Sequence, residues 1–338
     1  MLWRDISIAG TGSWIPPIRP DRDPWSGPAP GRPSAAALNG FTSSAVAKDT
    51  TATQMATRAG LRAVRHAGVT RDDLSLLVHA NFQDEEHFTP GTYLLRVLGG
   101  RDTAGLELGA ASDGGTAALV TAADHLTARP AARAVLVTAG ARFPEARWGH
   151  VRDDGYVAGD AGAAAVLTRG PGLARLVATS QVTEPELEML TRASPHTGRH
   201  FRLEETGLVP HVDTLRRGTR RGIENVLDEA GARPEEITRV VPIAIGAVVL
   251  DLVLSDTPLG IRADDTSWTF GRHLGHAGPS DALLALDRLF RSGPLRAGDR
   301  VLVVSFGFGF RWTTALLEVT RDAGPPAAAR TTPREGHS

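Results

Sequence analysis

An internal repeat constrains the fold of this chain more than any other feature of its sequence. Gly68–Val78 reads GVTRDDLSLLV, and Gly231–Val241 reads GARPEEITRVV. Each stretch follows a segment with amphipathic helical spacing and precedes an apolar segment that is typical of a buried strand. Self-similarity of this kind is the mark of a duplicated structural unit. The sequence therefore predicts two copies of one α/β unit.

The register of the repeat also makes two turns of the chain equivalent, and we call these turns corners. Ser112 lies where the apolar run Leu106–Ala110 gives way to an alanine-rich helical segment. The equivalent position in the second copy is Gly275-His276, ahead of the helical segment Leu283–Phe290. Both corners lead into strands of nearly the same sequence, Ala134–Thr138 and Arg300–Val304. If the copies pack about a pseudo-twofold axis, Ser112 and His276 face each other.

Ser112 has two interpretations at this stage. Where a strand turns sharply into a helix, the residue at the turn lies beside unpaired backbone N–H groups and the positive end of the helix dipole. Such a corner suits a nucleophile, because an oxyanion that forms there meets ready donors. The alternative is that Ser112 only caps the helix. The predicted meeting with His276 favours the nucleophile.

Composition excludes several classes of protein. The 338 residues are enough for two ordinary domains or for one large duplicated domain. The 37 basic and 38 acidic residues leave a net charge of −1, so no overall field favours nucleic acid or an anionic membrane. With no cysteine, disulfides, thiolate metal sites and a thiol nucleophile are excluded, and we expect no metal site. We find no signal peptide and no apolar run of membrane-spanning length, so we expect a cytoplasmic protein.

Three further segments carry predictions. Residues 183–210 are polar and uneven and contain His196 and His200; they form either an active-site lid or tunnel wall, or an inert surface excursion. An arginine cluster near the start of the second-copy helix is either a docking patch for phosphate-bearing partners or a solvated face. Its members are Arg216, Arg217, Arg220 and Arg221. Residues 321–338 are rich in Pro, Ala and Arg and are predicted to be disordered.

The order and spacing of several segments over residues 4–320 resemble the thiolase superfamily, specifically its β-ketoacyl-acyl-carrier-protein synthase III branch. The matching segments are Gly10–Pro16, Gly68–Leu74, Ala111-Ser112, Gly159–Ala163 and Phe306–Trp312. The resemblance implies a five-layer αβαβα fold, a homodimer, and acyl-enzyme chemistry on thioesters of coenzyme A or acyl carrier protein. We expect residues 1–180 to form the half with the nucleophile corner and residues 181–320 the half with the base corner.

The sequence departs from that branch at its catalytic positions. The nucleophilic cysteine of the family falls on Ser112, its histidine on Ile243 and its asparagine on His276. The stretch Gly275–Asp281 reads GHAGPSD. It resembles the Gly-His-x-Gly-x-x-Asp stretch of divergent ketosynthase-III-like acyltransferases of polyketide pathways, some of which use a serine nucleophile.

The chemistry of serine supports this reading. A serine hydroxyl is a poor nucleophile and needs a positioned base, for which His276 is the candidate. Asp281 would fix the imidazole tautomer, provided that a turn at Gly278-Pro279 brings it close, with Asp113 as the spare carboxylate. We expect the backbone N–H groups of Ser112 and Phe308 to hold the oxyanion.

These observations favour an acyltransferase of polyketide-type biosynthesis that moves an acyl group through a Ser112 acyl-enzyme, with a thioester as substrate and no resident cofactor. One alternative is a starter-unit ketosynthase that condenses acyl-CoA with malonyl-carrier protein and takes the missing group from His196 or His200. The other is a non-catalytic subunit. The Ser112, His276 and Asp281 set argues against a decayed site.

Overall fold

The computed structural model describes residues 1–19, 33–82, 88–143, 150–151, 155–192 and 209–324. The strands in this part of the chain are β1 (Ile6–Trp14), β2 (Ile18–Arg19), β3 (Ser44–Ala45), β4 (Leu74–Asn81), β5 (Ala104–Leu108), β6 (Ala134–Ala141), β7 (Ala161–Arg169), β8 (Ala174–Thr183), β9 (Arg239–Pro242), β10 (Arg300–Gly307) and β11 (Arg311–Val319). The α-helices are α1 (Ala35–Leu38), α2 (Ala52–Ala67), α3 (Pro90–Leu98), α4 (Gly114–Ala128), α5 (Val212–Ala230), α6 (Ala247–Leu254), α7 (Trp268–Gly271) and α8 (Asp281–Ser292).

The strand order shows the duplication directly. Among the described residues the main sheet runs β5-β4-β6-β7-β1-β8-β11-β10-β9. Read from the centre outwards, the order β8-β11-β10-β9 repeats the order β1-β7-β6-β4. Pair directions repeat as well: β9 lies parallel to β10 as β4 does to β6, and β10 lies antiparallel to β11 as β6 does to β7. The halves meet where β1 and β8 pair antiparallel, so the predicted duplicated α/β fold is confirmed.

The repeated sequence forms the same local structure in both copies. Helices α2 and α5 end at Gly68 and Gly231, whose φ angles of 68° and 59° lie in the left-handed region that glycine tolerates best. A short 3₁₀ turn follows each glycine, at Arg71–Asp73 and at Pro234–Glu236, and leads into β4 and β9. The shared glycine and the acidic turn therefore explain why the two stretches resemble each other.

Apolar residues divide the molecule into five layers. Successive strand residues point to opposite faces of a sheet, so each half buries two apolar faces. Val135 of β6 and Val303 of β10 belong to one core that includes α4 and α8. Leu136 packs with α2 and α3 on the outer face of the first half. Leu302 packs with α5, α6 and α7 on the outer face of the second half. The arrangement is the five-layer αβαβα fold expected from the sequence, with α4 and α8 as the central layer.

The central layer is tightly packed because its contact residues are small. A Cβ atom added at Gly115 of α4 would lie 2.2 Å from the carbonyl oxygen of Pro279. Gly115 therefore lets the start of α4 approach the turn that precedes α8. This close approach brings the two predicted corners together.

Three expectations concern the chain as a whole. None of the helices in the described ranges is long and apolar enough to cross a membrane. The division into halves after residue 180, a position within β8, stays a prediction. Residues 325–338 of the predicted disordered tail lie outside the described residues.

Candidate active site

The nucleophile corner is a strained turn between β5 and α4. Ala111–Asp113 form a single 3₁₀ turn that runs directly into α4 at Gly114. Ala111 has a φ angle of +47°, which is uncommon for a residue with a side chain. Strained backbone of this kind is a frequent feature of functional sites. The N-cap position of α4 is Asp113, and the hydroxyl of Ser112 points to a histidine instead of capping the helix.

The base corner is held in place by a short backbone ladder. The N–H of His276 donates to the carbonyl of Val157 at 2.8 Å, and the carbonyl of His276 accepts from the N–H of Gly159 at 2.9 Å. Gly159 allows this approach, since a Cβ atom there would lie 2.1 Å from the carbonyl oxygen of Leu274. The backbone of His276 is thus attached to the segment that leads into β7.

The structure brings Ser112, His276 and Asp281 together in one hydrogen-bonded chain. The Oγ atom of Ser112 lies 2.6 Å from Nε2 of His276. Nδ1 of the same imidazole lies 2.5 Å from Oδ2 of Asp281. The 3₁₀ turn Gly278–Ser280 supplies the bend that the five-residue spacing requires. His276 and Asp281 are buried, and Ser112 is half-buried.

Two backbone groups orient the carboxylate of Asp281. The N–H of Ala244 donates to Oδ2 and the N–H of Ala277 donates to Oδ1, both at 2.7 Å. Sequence reasoning missed both donors. The one sequence signal for the Ala244 segment is that Ala244 follows Ile243, the position that corresponds to the family's histidine. With both oxygens held, the carboxylate has one orientation toward the imidazole.

This geometry defines the tautomer of the neutral imidazole. A carboxylate accepts hydrogen bonds only, so Nδ1 of His276 carries the proton. Nε2 is then the acceptor for the hydroxyl of Ser112. The ring of Tyr156 meets the imidazole edge-on, with centroids 5.7 Å apart, and packs against one side of it. The arrangement can withdraw a proton from Ser112 and return it to a leaving group.

The position that corresponds to the family's histidine carries no polar side chain. Ile243 follows the end of β9 and is 1% exposed, inside the apolar core of the second half. Its side chain can neither donate a hydrogen bond nor exchange a proton. Among the three aligned catalytic positions, only Ser112 and His276 carry reactive groups.

The spare carboxylate, Asp113, does not face the imidazole. Its Oδ2 atom accepts a hydrogen bond from Oγ1 of Thr313 at 2.7 Å and lies 3.9 Å from Nε of Arg311. The residue is fully buried, and burial raises the pKa of its carboxyl group well above the usual range. Because α4 starts here, the side chain turns toward β11 and away from His276. Its predicted role as a second orienting carboxylate is therefore wrong.

The turn between β10 and β11 lies against the nucleophile corner. A Cβ atom added at Gly307 would lie 2.5 Å from the carbonyl oxygen of Ala110 and 2.9 Å from the backbone nitrogen of Asp113. Nη2 of Arg311 donates to the carbonyl of Gly109 at 2.7 Å. Phe308 is the next residue after Gly307, on the same turn. The predicted oxyanion role of the Phe308 and Ser112 N–H groups is compatible with this placement and stays a prediction.

The remaining predicted residues are two histidines and four arginines. His196 and His200 fall outside the described residues. The four arginines lie on α5, and three of them have carboxylate partners within 4 Å. Arg216 pairs with Asp213, Arg220 with Glu224 and Asp256, and Arg221 with Glu184, whereas the contact found for Arg217 is with the hydroxyl of Thr214. Their docking role stays a prediction, and these partners neutralise much of the positive charge.

Comparisons with known proteins agree with the architecture. Residues 227–319 match the family described as 3-oxoacyl-[acyl-carrier-protein] synthase III C terminal. The chain is 26% identical over 273 residues to β-ketoacyl-[acyl-carrier-protein] synthase III of Aquifex aeolicus, covering 80% of this chain and 85% of that protein. A solved structure of the same Aquifex protein superposes with a TM-score of 0.77 at 24% identity, covering 93% of this chain and 99% of that one.

A second solved structure is more similar in sequence. The acyltransferase ChlB3 is 32% identical to this chain and superposes with a TM-score of 0.84. The match covers 94% of this chain and 99% of ChlB3. The similarity therefore extends over nearly the whole of both chains.

Proposed function

Because the chain belongs to the β-ketoacyl-acyl-carrier-protein synthase III-like branch of the thiolase superfamily, we propose that it is an acyltransferase with a serine nucleophile. The hydrogen-bonded chain from Ser112 through His276 to Asp281 carries this proposal. The substrate is an acyl thioester of coenzyme A or acyl carrier protein, in polyketide-type biosynthesis. The acyl group passes through an ester on Ser112 to an acceptor.

The first half-reaction forms the ester. Nε2 of His276 takes the hydroxyl proton as Oγ of Ser112 attacks the thioester carbonyl. The N–H groups of Ser112 and Phe308 stabilise the negative charge on the carbonyl oxygen. The carbon–sulfur bond then breaks, and the imidazolium returns the proton to the departing thiolate, which leaves as a thiol. Atoms and charge balance without any further reactant.

The second half-reaction reverses these roles. A nucleophilic acceptor loses its proton to Nε2 of His276 as it attacks the ester carbonyl. The carbon–oxygen bond to Ser112 breaks, and His276 reprotonates Oγ. Asp281 keeps Nδ1 protonated and stabilises the imidazolium in both half-reactions, because its own position is fixed by two N–H donors.

Serine requires this arrangement more than cysteine does. A thiol has a lower pKa than a hydroxyl and needs less help to become a nucleophile. A histidine at 2.6 Å with a buried carboxylate behind it supplies that help to Ser112. The departures from the family's pattern are therefore mutually consistent.

A condensing synthase is the second candidate, because the Aquifex relative and the matched C-terminal family carry that name. Decarboxylative condensation must stabilise an enolate on the malonyl thioester. Ile243 offers no donor for it, and His276 already bonds to Ser112. Condensation here would require a group from outside the described residues, such as His196 or His200. A non-catalytic subunit would not need the intact Ser112, His276 and Asp281 arrangement.

Intact-protein mass spectrometry tests the proposal. Incubation with a panel of acyl-CoA thioesters should add the mass of one acyl group, and peptide mapping should place it on Ser112. Ser112→Ala should abolish the adduct, whereas Ser112→Cys should retain it because a thiol is also acylated. An adduct on another residue that survives in Ser112→Ala would overturn the assignment.

A further inference from the structure

Asp113 is a fully buried carboxyl group that the proposed mechanism does not use, although it follows the nucleophile directly. Its Oδ2 atom accepts a hydrogen bond from Thr313 on β11, and its Oδ1 atom is buried with no hydrogen-bond partner among the described residues. An ionised carboxylate with a single good donor is costly in such a place. Burial therefore favours the neutral acid over the ionised carboxylate.

The same residue joins the two segments that bear the predicted oxyanion donors. Ser112 precedes Asp113 on the corner, and Phe308 lies on the β10–β11 turn. The hydrogen bond from Thr313 to Asp113 connects β11 to the nucleophile corner. Arg311 makes a second connection through its hydrogen bond to the carbonyl of Gly109. Gly307 packs on the backbone of Asp113 itself, since its added Cβ would lie 3.2 Å from the Cβ of Asp113. Movement of Asp113 would change the separation of the two segments.

The charge on Asp113 matters because of where the oxyanion forms. Asp113 directly follows Ser112, and its side chain is fully buried. A negative charge so close, in an environment of intermediate dielectric, slows formation of an oxyanion by roughly 10- to 100-fold. A neutral acid keeps the hydrogen bond to Thr313 without that penalty.

We propose that Asp113 is a positioning residue that works as a neutral carboxylic acid: it holds the β10–β11 turn against the nucleophile corner while placing no negative charge beside the oxyanion. The inference rests on the proposed Ser112 acyl-enzyme. It assigns the residue a role different from orientation of the imidazole, which Asp281 performs.

Several groups set the pH at which Asp113 ionises. Burial raises its pKa, whereas the hydrogen bond from Thr313 and the positive charge of Arg311 lower it, with burial the largest effect. His276 and Asp281, the other titratable groups of the site, connect to this corner through Ser112. Since the neutral form is the working form, acylation falls as the pH rises through the raised pKa of Asp113.

The experiment measures the single-turnover acylation rate of Ser112 with p-nitrophenyl acetate, a reactive ester that needs no carrier protein, from mildly acidic to alkaline pH. The wild-type rate should fall roughly tenfold or more as the pH rises through the raised pKa of Asp113. Asp113→Asn should lose the alkaline fall, because its amide cannot ionise. Asp113→Ala should also lose it but should acylate roughly tenfold more slowly than Asp113→Asn at every pH, since the hydrogen bond to Thr313 is gone.

Thr313→Val keeps the test decisive if the Asp113 variants fail to fold. It removes the hydrogen bond that lowers the pKa of Asp113, so the alkaline fall should move to higher pH. Thr116→Val is the matched control: it removes a buried hydroxyl pair with Ser305 between α4 and β10, at 3.0 Å, and should leave the alkaline fall in place.

The outcomes separate this inference from the proposed function. An unchanged alkaline fall in both Asp113→Asn and Thr313→Val, with Ser112 still acylated, would overturn the role of Asp113 alone. A wild-type protein that forms no ester on Ser112 would overturn the proposed function and this inference with it.

Discussion

Ser112 and His276 are 164 residues apart in the sequence, and their Oγ and Nε2 atoms lie 2.6 Å apart in the folded chain. Each residue belongs to a different copy of the duplicated unit, and each lies at the equivalent corner of its copy. The contact is therefore a product of the pseudo-twofold packing of α4 against α8. Four predictions follow from this site and its surroundings, in addition to the adduct on Ser112.

The first prediction concerns the base and its carboxylate. His276→Ala should be nearly as damaging to acylation as Ser112→Ala, on the order of 10⁴-fold or more, because serine loses its base. Asp281→Asn should cost less, on the order of 10²- to 10⁴-fold, through loss of the correct tautomer. Single-turnover acylation with an accepted acyl-CoA measures both.

Asp287→Asn is the control for this pair. Asp287 lies on the same helix α8, is equally buried, and bonds to Ser13 and Arg291 instead of the active site. It should acylate within about threefold of wild type. Equal acylation rates in Asp281→Asn and Asp287→Asn would contradict the assigned role of Asp281.

The second prediction separates acyl transfer from carbon–carbon bond formation. With acyl-CoA, malonyl-carrier protein and holo carrier protein together, acyl transfer should be much faster than condensation. Ile243 removes one donor to the enolate, and such a donor is typically worth about 3 kcal/mol, or roughly 100-fold in rate. Mass spectrometry of the carrier-bound products and detection of carbon dioxide measure the two routes. Efficient release of carbon dioxide with a β-ketoacyl product would favour the condensing synthase and implicate His196 or His200.

The third prediction concerns the arginines of α5. If they dock a carrier protein or the phosphates of coenzyme A, Arg217→Gln should raise KM roughly two- to fivefold and weaken its salt dependence, with kcat nearly unchanged. Arg220→Gln should have a smaller effect, because Glu224 at 2.8 Å and Asp256 at 3.8 Å already oppose its charge. An unaltered KM in Arg217→Gln and in the Arg216→Ala/Arg220→Ala double variant would identify the cluster as a solvated face.

The fourth prediction concerns the homodimer. Strand β5 is one of the two edge strands of the sheet in the described chain, and all but its last residue are exposed. Leu106 is 42% exposed. Natural proteins rarely leave such an edge open, so we expect a second copy to cover it. Leu106→Lys should shift the protein toward monomer in light-scattering measurements. Leu38→Lys, the same change at an exposed position on α1, should leave the mass unchanged; a monomeric wild-type protein would refute the prediction.

Sequence reasoning was most successful where a local pattern repeats. The glycines that end α2 and α5 belong to the repeated stretches that indicate the duplication, and the duplication by itself predicts that Ser112 lies opposite His276. The bend at Gly278-Pro279 was needed to bring Asp281 to the imidazole, and it is present. These features depend on residues close together in the sequence or related by the repeat.

The features that sequence reasoning missed come from distant segments. The N–H of Ala244 reaches Asp281 only because β9 ends beside the start of α8. Asp113 turns toward Thr313, 200 residues away, and nothing in its local sequence indicates that choice. The carboxylate partners of Arg220 and Arg221 likewise include Asp256 and Glu184, on other segments. Such contacts are set by tertiary packing, for which one sequence has no local signal.

Because Ser112 and His276 belong to different copies of the duplicated unit, the reactivity of Ser112 depends on the packing of the two copies against each other. While the chain folds, Ser112 stays as inert as any serine until α4 and α8 have docked and the imidazole stands beside it. The onset of ester labelling during refolding therefore dates that docking event, independently of when the helices and strands form. The reactivity of the Ser112 side chain therefore reports when the two halves of the chain have packed together.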